Sequence, residues 1–150
     1  MTLYGVLVLI HVIAAVVGLG PSFAFPVIQS FGNTKESLQL IHKIIEKAEK
    51  VVKIGSIILL LTGLIMGALN PFLFTQAWYI LSIILYFVAH YLAVGFSGKR
   101  TRRAVELLNS HQGNDIPDEV LQLKKTVAKA GMSASLIAVV MIFLMSVKPF

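Results

Sequence analysis

The sequence contains no cysteine and little charge. The absence of cysteine excludes disulfides, thiolate metal sites and thiol catalysis. Asp, Glu, Lys and Arg make up 13% of the 150 residues, about half of the roughly 25% that is typical of soluble domains. Three stretches, residues 1–34, 54–98 and 130–147, contain none of these four residue types. The lack of carboxylates in them argues against a proton-coupled transporter of the usual carboxylate kind.

The charge-free stretches are long enough to cross a membrane. A transmembrane helix needs about 20 predominantly apolar residues, so the first and third stretches each hold one. The middle stretch is more than twice that length and is interrupted at Asn70-Pro71, so it holds two. The sequence predicts an all-α fold, a four-helix transmembrane bundle in one domain over residues 1–150. The expected spans are approximately 3–29, 52–69, 77–97 and 129–147.

The first stretch does not have the pattern of a cleaved signal peptide. It lacks a basic n-region, and its apolar run is longer than the h-region of about 7–15 residues that a signal peptide carries. We therefore expect it to remain as the first span.

The basic residues predict the orientation of the bundle. All of them except Lys148 fall between helices 1 and 2 or between helices 3 and 4. The positive-inside rule places these segments in the cytoplasm and both termini outside the plasma membrane. Tyr4, Trp78 and Tyr79 are expected to anchor the outer interface. The basic excess is thus explained by topology and by attraction to anionic lipid, and we expect no nucleic-acid partner.

Helices 2–4 are expected to extend beyond the membrane on the cytoplasmic side. Helix 2 is predicted to begin near Ser37, because apolar residues recur at helical spacing from there, at Leu38, Ile41, Ile45, Ala48 and Val52. Before helix 4, Asp115 is a candidate cap and Pro117 suits the first turn. In helix 1, the residues expected to bend or end the helix are Gly18, Gly20, Pro21 and Pro26.

Two histidines lie inside the charge-free stretches, His11 on helix 1 and His90 on helix 3. Ionisable residues within a membrane are functional candidates. Counted from Thr2 and Trp78 at 1.5 Å per residue, they lie about 14 and 18 Å deep. Two imidazoles at similar depth can ligate a haem iron from both faces. We therefore predict His11 and His90 as axial ligands of haem b, held between helices 1 and 3 in a pocket lined by Ala14, Ala15, Gly18, Tyr86 and Ala93. His42 and His111 are expected in solvent.

Three other interpretations remain open at this stage, one of which is a quinone-binding or proton-relay role of the two histidines. A buried histidine can simply bond a neighbouring helix, and the candidate partners are Ser56, Thr62, Ser82, Ser133 and Ser135. The chain would then be a cofactor-free structural or accessory subunit of a membrane complex. Alternatively, the two histidines hold Cu(I) with a methionine thioether, the candidates being Met66, Met132, Met141 and Met145. Gly63 and Gly67 form a GxxxG pattern, which favours close helix contact.

Three segments resemble a known group of membrane proteins. "HVIAAVVGLG" in helix 1, "GLIMGALNPFLFTQAW" across helices 2 and 3, and the closing "VKPF" are similar to the small four-helix family of HemJ-type protoporphyrinogen oxidases, to CopD-like copper-resistance proteins, and to uncharacterised integral-membrane relatives. The resemblance spans most of the chain, and its most specific part is the Asn-Pro…Gln-x-Trp segment. It implies a haem b site in the bundle, with His11 matching the helix 1 histidine of the family.

The chain departs from the HemJ-type pattern at two places. Ser82 stands about where those proteins carry a lysine, and no lysine lies between Lys53 and Lys99. The helix 1 continuation "GPSFAFPVI" lacks the usual arginine. We therefore group the chain with the uncharacterised relatives and not with the oxidase.

The function that these observations predict is a haem-b-binding membrane protein with a redox or sensory role. If it is an enzyme, it is a membrane oxidoreductase. If both histidines ligate, the six-coordinate iron is suited to electron transfer, with a quinol or another membrane redox protein as partner. Assembly as a homo-oligomer or as a subunit of a larger complex is the other interaction that we expect beyond the lipid bilayer.

Overall fold

The computed structural model describes residues 2–149, so Phe150 of the "VKPF" segment lies outside the described part. Four long helices account for nearly all of it, and no strand occurs in this range. Their bounds are Leu3–Ser30 (α1), Lys35–Leu69 (α2), Ala77–Ser110 (α3) and Asp118–Val147 (α4). Each is long and apolar enough to cross a membrane. The predicted all-α four-helix bundle, with helices 2–4 extended beyond their charge-free parts, is confirmed.

The start of α2 follows from its capping residues. Thr34 has extended backbone geometry, its side chain accepts from the backbone N–H of Ser37, and the Ser37 hydroxyl accepts from the backbone N–H of Thr34. This capping box satisfies N–H groups that the first helical turn leaves unpaired. The helix therefore begins two residues before the predicted Ser37, and it ends at Leu69 because Pro71 cannot continue it.

The helices form an open arc in the order α2, α1, α4, α3. α1 packs against α2 and α4, and α4 also packs against α3. In residues 2–149, no Cα atom of α1 lies within 8 Å of one in α3. α2 and α3 approach each other only near their ends, through the connecting turn at Pro71–Thr75 and through the last part of α3 at Ser97–Ser110. A gap is therefore left between α2 and α3.

Two glycines allow α1 and α2 to touch backbone to backbone. A Cβ atom on Gly18 would lie 2.8 Å from the backbone nitrogen of Ser56, and one on Gly55 would lie 2.6 Å from the backbone nitrogen of Gly18. Small residues at such crossings permit the close approach on which helix association in lipid depends. Gly63 faces the ring of His11, and Gly67 faces Tyr79, so the GxxxG pattern accommodates side chains and does not form this crossing.

The two ends of the bundle differ, and we name them by their charge. The uncharged end takes its name from the 70–76 connection, which has no charged residue, and Lys148 lies there just after α4; the basic end carries the connections at 31–34 and 111–117. At the basic end, apolar residues of three helices form a core: Leu38 of α2, Ala104 and Leu108 of α3, and Val120 of α4. Leu38, Ile41 and Ile45 are all buried, which confirms the apolar stripe predicted at the start of α2.

Two lysine side chains form hydrogen bonds with the backbone of the connections at the basic end. Lys124 Nζ donates to the carbonyl oxygen of Gly32 at 2.7 Å, just after the end of α1. Lys35 Nζ donates to the carbonyl oxygens of His111 and Gly113 in the other connection. Part of the basic excess therefore satisfies backbone acceptors that helix ends and loops leave open.

Two local predictions are wrong, and one of two alternatives for α1 is removed. Of bending and ending, ending does not occur at Pro21 or Pro26, because α1 continues to Ser30; proline is tolerated in membrane helices because neighbouring groups satisfy the freed carbonyls. Asp115 does not cap α4, because its carboxylate pairs instead with the ring of His111 at 2.9 Å, and this bond lowers the pKa of Asp115. Trp78 is 8% exposed and packs inside the bundle, so it is not an interfacial anchor.

Candidate functional site

The gap between α2 and α3 is a cleft bounded by two hydrogen bonds. Near the middle of the bundle, Tyr86 Oη donates to the carbonyl oxygen of Ser56 at 2.9 Å. At the basic end, Gln39 Nε2 donates to Asn109 Oδ1 at 3.0 Å. Between these bridges lies a cavity of about 900 Å³, with α1 and α4 as its floor. Pockets that bind small molecules typically measure about 300–1,000 Å³, so the cleft is large enough for a cofactor-sized ligand.

The part of the cleft nearest the bridge at Tyr86 carries no charged side chain, and its polar groups are the hydroxyls of Ser22, Ser56 and Ser135 and the imidazole of His90. The His90 ring stacks on Tyr86 with 5.9 Å between ring centroids and 17° between ring planes. Neither ring nitrogen of His90 has a hydrogen-bond partner in the described chain, and the side chain lines the cleft. An unpartnered imidazole that opens onto a cavity can ligate a metal or bond a ligand.

α3 changes its winding directly after His90. Residues Tyr91–Phe96 form a π-helical turn, and the Ser97 hydroxyl donates to the carbonyl oxygen of Leu92 at 2.8 Å. Such turns are rare and are found frequently at functional sites. The turn shifts the register of α3, so that both His90 and the charged residues beyond it line the same cleft. No pattern in the sequence indicated it.

The part of the cleft toward the basic end is lined by charges of both signs: Lys43, Glu46, Glu49, Lys53, Lys99 and Arg102. Four cations and two carboxylates give a formal charge of +2. The ion pairs found between residues 2 and 149, Arg103–Glu119 and His111–Asp115, do not include them. We take the charge-free residues 54–69 as the membrane-spanning part of α2, so Glu49 lies outside the span. Burial raises the pKa of Glu49, against the opposing charge of Lys53.

His42 is a cleft residue that the sequence analysis placed in solvent. Its side chain lines the cleft, and its Nδ1 atom is buried without a hydrogen-bond partner in the described structure. Burial lowers the pKa of His42, and the charge of Lys124 lowers it further. Ser135 on α4 also lines the cleft with a buried, unpartnered hydroxyl. Buried polar atoms are normally hydrogen-bonded, so a ligand in the cleft can form hydrogen bonds with these two atoms.

His11 lies outside the cleft, in the interface between α1 and α2. Its Nδ1 atom is 2.8 Å from Thr62 Oγ1, and Thr62 was one of the partners considered for a bonded histidine. The Thr62 hydroxyl also lies 2.7 Å from the carbonyl oxygen of Ile58 and 3.1 Å from that of Leu59. A hydroxyl has a single proton, which it donates to these carbonyls. His11 must therefore donate from Nδ1, which leaves Nε2 as an acceptor.

The structure does not bring His11 and His90 together. The α1 residues that line the cleft with His90 begin at Gly18, and Leu19 packs against the cluster that contains Ala89. These residues are seven or eight positions beyond His11, or about 10–12 Å along a helix at 1.5 Å per residue. The two imidazoles therefore lie at different levels of the bundle.

The cause of this difference lies at the start of α3. The depth estimate placed Trp78 level with Thr2. In the structure, Tyr79 Oη donates to the carbonyl oxygen of Gly63 at 2.9 Å, and a Cβ atom on Gly63 would lie 3.3 Å from Cε1 of His11. The first turn of α3 is therefore already near the level of His11, and His90 lies about three turns further toward the basic end.

Some of the other predicted pocket residues line the cleft, and the rest lie on α1 outside it. Gly18, Tyr86 and Ala93 line the cleft with His90. Ala14 is buried on α1 and Ala15 is half-buried, and neither is among the residues that line the cleft. Of the methionines considered for copper, Met141 lines the cleft. Among the residues that the structure describes, no three His, Asp or Glu side chains cluster as a metal site.

Four long apolar helices define this molecule as an integral membrane protein. The family described as "Predicted integral membrane protein (DUF2269)" has a sequence model that matches residues 5–149, nearly the whole chain. The chain belongs to this family. This agrees with the grouping among integral-membrane relatives. No curated protein and no solved structure matches it.

Proposed function

We propose that the protein binds haem b in the cleft, with His90 as an axial ligand, and that its role is redox or sensory. The observation that supports this most strongly is the His90 imidazole, which has no partner within residues 2–149 and opens onto a cavity of about 900 Å³. Imidazole is a common haem ligand. The resemblance to the HemJ-type proteins, which implies a haem b site in the bundle, supports the same proposal.

The residues around His90 fit a flat amphipathic group. Ala89 and Ala93 present small side chains on α3, and the Tyr86 ring supports the imidazole from one side. Toward the basic end, Lys53 lines the same cleft and suits the carboxylates of a porphyrin. Haem supplies one-electron chemistry and a position for small ligands when it is bound.

This proposal differs from the sequence-based one in the role of His11. His11 is committed to Thr62 and lies about 10 Å or more from the level of His90 along α1. We therefore propose that His90 ligates without His11. An iron held by one protein imidazole keeps a coordination position open, which suits binding of a small ligand better than electron transfer alone.

Titration of haem b into the haem-free protein in detergent micelles tests the proposal. We expect the Soret absorbance to saturate at one haem per chain. His90→Ala should weaken binding at least tenfold, which corresponds to about 1.4 kcal/mol. His111→Ala is the matched control, because His111 lies in the 111–117 connection and pairs with Asp115. Equal haem affinity in the wild type and His90→Ala would contradict the proposal.

Copper is the alternative occupant that the cleft allows, because Met141 and His90 both line it. Thioether and imidazole are ligands that suit Cu(I). Elemental analysis of the dialysed protein separates the two proposals. Stoichiometric copper that is lost in both His90→Ala and Met141→Leu would favour copper handling. A colourless, metal-free protein that purifies with a fixed partner would favour the accessory-subunit interpretation.

A further inference from the structure

The charged residues of α2 that line the cleft follow a fixed order along the helix. Ser56, Lys53, Glu49, Glu46 and Lys43 are spaced by three, four, three and three residues, so they share one helical face, with Lys43 furthest from the membrane. Lys53 lies directly next to the charge-free part of α2. Glu49 and Glu46 lie about 6 and 10 Å further from the membrane at 1.5 Å per residue. The cleft therefore presents a cation at the membrane boundary and two carboxylates beyond it.

These charges are available to a ligand. Glu46 and Glu49 form no ion pair within 4 Å in the part of the chain that the structure describes. Glu49 is nevertheless half-buried, with Lys53 one turn away on the same helix. A half-buried carboxylate without a partner gains more from an incoming cation than an exposed one does, because fewer water molecules screen the interaction. On the α3 side, Lys99 and Arg102 add positive charge.

The cleft opens sideways between α2 and α3. The bridges at Tyr86–Ser56 and Gln39–Asn109 close its two ends, and between them the two helices leave a lateral opening. It begins within the charge-free, membrane-spanning part and continues past Lys53 into the charged part. A molecule that lies in the adjoining leaflet can therefore place its polar end in the cleft without leaving the bilayer.

We propose that the haem-free cleft binds a phospholipid whose headgroup carries a primary amine. Its phosphate lies beside Lys53 at the membrane boundary. Its ammonium group reaches the carboxylates of Glu49 and Glu46 further out, and its acyl chains follow the apolar part of the cleft. The order of charges in such a headgroup, phosphate nearest the chains and ammonium outermost, matches the order of charges along α2.

The same chemistry discriminates against other lipids. A choline headgroup has the charge but no N–H donor, so it cannot form charge-assisted hydrogen bonds to the two carboxylates. A glycerol headgroup has the phosphate for Lys53 but no ammonium group for Glu46 and Glu49. The predicted order of affinity is therefore phosphatidylethanolamine above phosphatidylcholine, because these two zwitterionic headgroups differ only in the N–H donors.

This inference does not rest on the proposed haem site. Porphyrin carboxylates and a lipid phosphate both require Lys53, so the two ligands compete, but different residues define each of them. His90→Ala removes the proposed iron ligand and leaves the headgroup contacts in place. Glu46→Gln together with Glu49→Gln removes the ammonium contacts and leaves His90 in place.

Native mass spectrometry of the haem-free protein with each of the three lipids tests the proposal. We expect phosphatidylethanolamine to bind about tenfold more tightly than phosphatidylcholine, since hydrogen bonds to charged groups are each worth a factor of that order. The Glu46→Gln, Glu49→Gln double variant should reduce this ratio to about one. Lys53→Gln should weaken ethanolamine and glycerol lipids alike.

The controls use residues of the same helix outside the cleft. Glu36→Gln and Lys47→Gln change exposed side chains of α2 that are not among the cleft-lining residues, and they should leave the lipid preference unchanged. Equal affinity of the wild-type protein for ethanolamine and choline lipids overturns the proposal even if a variant fails to fold. Equally tight binding of soluble glycerophosphoethanolamine overturns the lipid as occupant. If the protein binds no haem but still prefers phosphatidylethanolamine, the haem proposal is wrong and the headgroup site is supported.

Discussion

At the scale of single residues, the two membrane histidines have different surroundings. His11 shares a hydrogen bond with Thr62, whose own proton is committed to its helix. His90 has a stacked ring beside it and a cavity in front of it. Sequence position showed that both imidazoles lie in the membrane. It could not show which imidazole is hydrogen-bonded to a neighbouring helix, because that depends on which helices pack together.

The first prediction concerns Thr62→Val, which removes the acceptor for His11 Nδ1 while keeping the side-chain shape. We expect the free energy of unfolding to fall by about 0.6 kcal/mol, the average measured for hydrogen bonds between membrane helices, and by at most about 1.7 kcal/mol, the largest such value. Denaturation in mixed micelles with increasing SDS measures it. Thr126→Val is the control, because Thr126 bonds only the carbonyl of Gln122 in its own helix. A larger loss in the control than in Thr62→Val would contradict the assigned bond.

The second prediction concerns His42, whose pKa is lowered by burial and then by Lys124. The unfolded chain binds a proton at this residue near pH 6.5, whereas the folded chain binds it only at lower pH. The stability contributed by neutral His42 is therefore present above about pH 6.5 and declines as the pH falls below it. His42→Gln should flatten the decline between pH 7.5 and 6 in the same denaturation assay. An unchanged slope in the variant would show that His42 is not buried as described.

At the scale of helices, the contact of Gly18 with Gly55 is the tightest feature of the α1–α2 pair. Neither glycine has space for a Cβ atom, because each faces the backbone of the other helix. The sequence analysis considered Gly18 for bending or for pocket space and did not consider Gly55. A glycine in an apolar helix is compatible with all of these roles, and only the crossing point of the two helices distinguishes them.

The third prediction compares two alanine substitutions in α1. Gly18→Ala forces the backbones of α1 and α2 apart, and we expect a loss of about 1–3 kcal/mol, typical of overpacking. Gly20→Ala places its Cβ atom where nothing lies within 4 Å, so it should be neutral or stabilise by up to about 1 kcal/mol through helix propensity. SDS denaturation of both variants provides the comparison. Equal effects of the two substitutions would contradict the described crossing.

The helices themselves were largely predictable, whereas their local irregularities were not. Uncharged apolar runs and the break at Asn70-Pro71 predicted four helices, and the apolar stripe from Leu38 predicted the extension of α2. The π-helical turn after His90 was not predictable, because it reflects how α3 packs and not a residue preference. Trp78 was misplaced because its depth depends on how the 70–76 connection folds back onto α2.

At the scale of the whole molecule, the cleft arises because the four helices form an arc that does not close. Packing of α1 on both α2 and α4 leaves α2 and α3 apart through the middle of the bundle, and the two bridging hydrogen bonds limit the gap. The helices predicted from the sequence do not show whether the bundle is open or closed, since a closed ring of four helices satisfies the same apolar patterns. The sequence therefore indicated His90 but not the charged residues that share its cavity.

The fourth prediction concerns the orientation of the bundle in the membrane, which follows from the distribution of basic residues. The natural chain has no cysteine, so single cysteines report position without interference. In intact cells, a membrane-impermeant maleimide should label Thr75→Cys at the uncharged end and should label Gln112→Cys at the basic end only after lysis. Both positions are exposed. The reverse pattern would place the basic end outside and overturn the positive-inside assignment.

The visible absorption spectrum, oxidised and dithionite-reduced, tests the central claim most directly. It is recorded on wild-type protein, His11→Ala and His90→Ala, each made with an adequate haem supply. We predict a Soret band in the wild type that persists in His11→Ala and is lost or strongly shifted in His90→Ala. A low-spin spectrum that requires both histidines would contradict the separation of His11 from the site, and the absence of any haem band from the wild type would contradict the haem proposal itself.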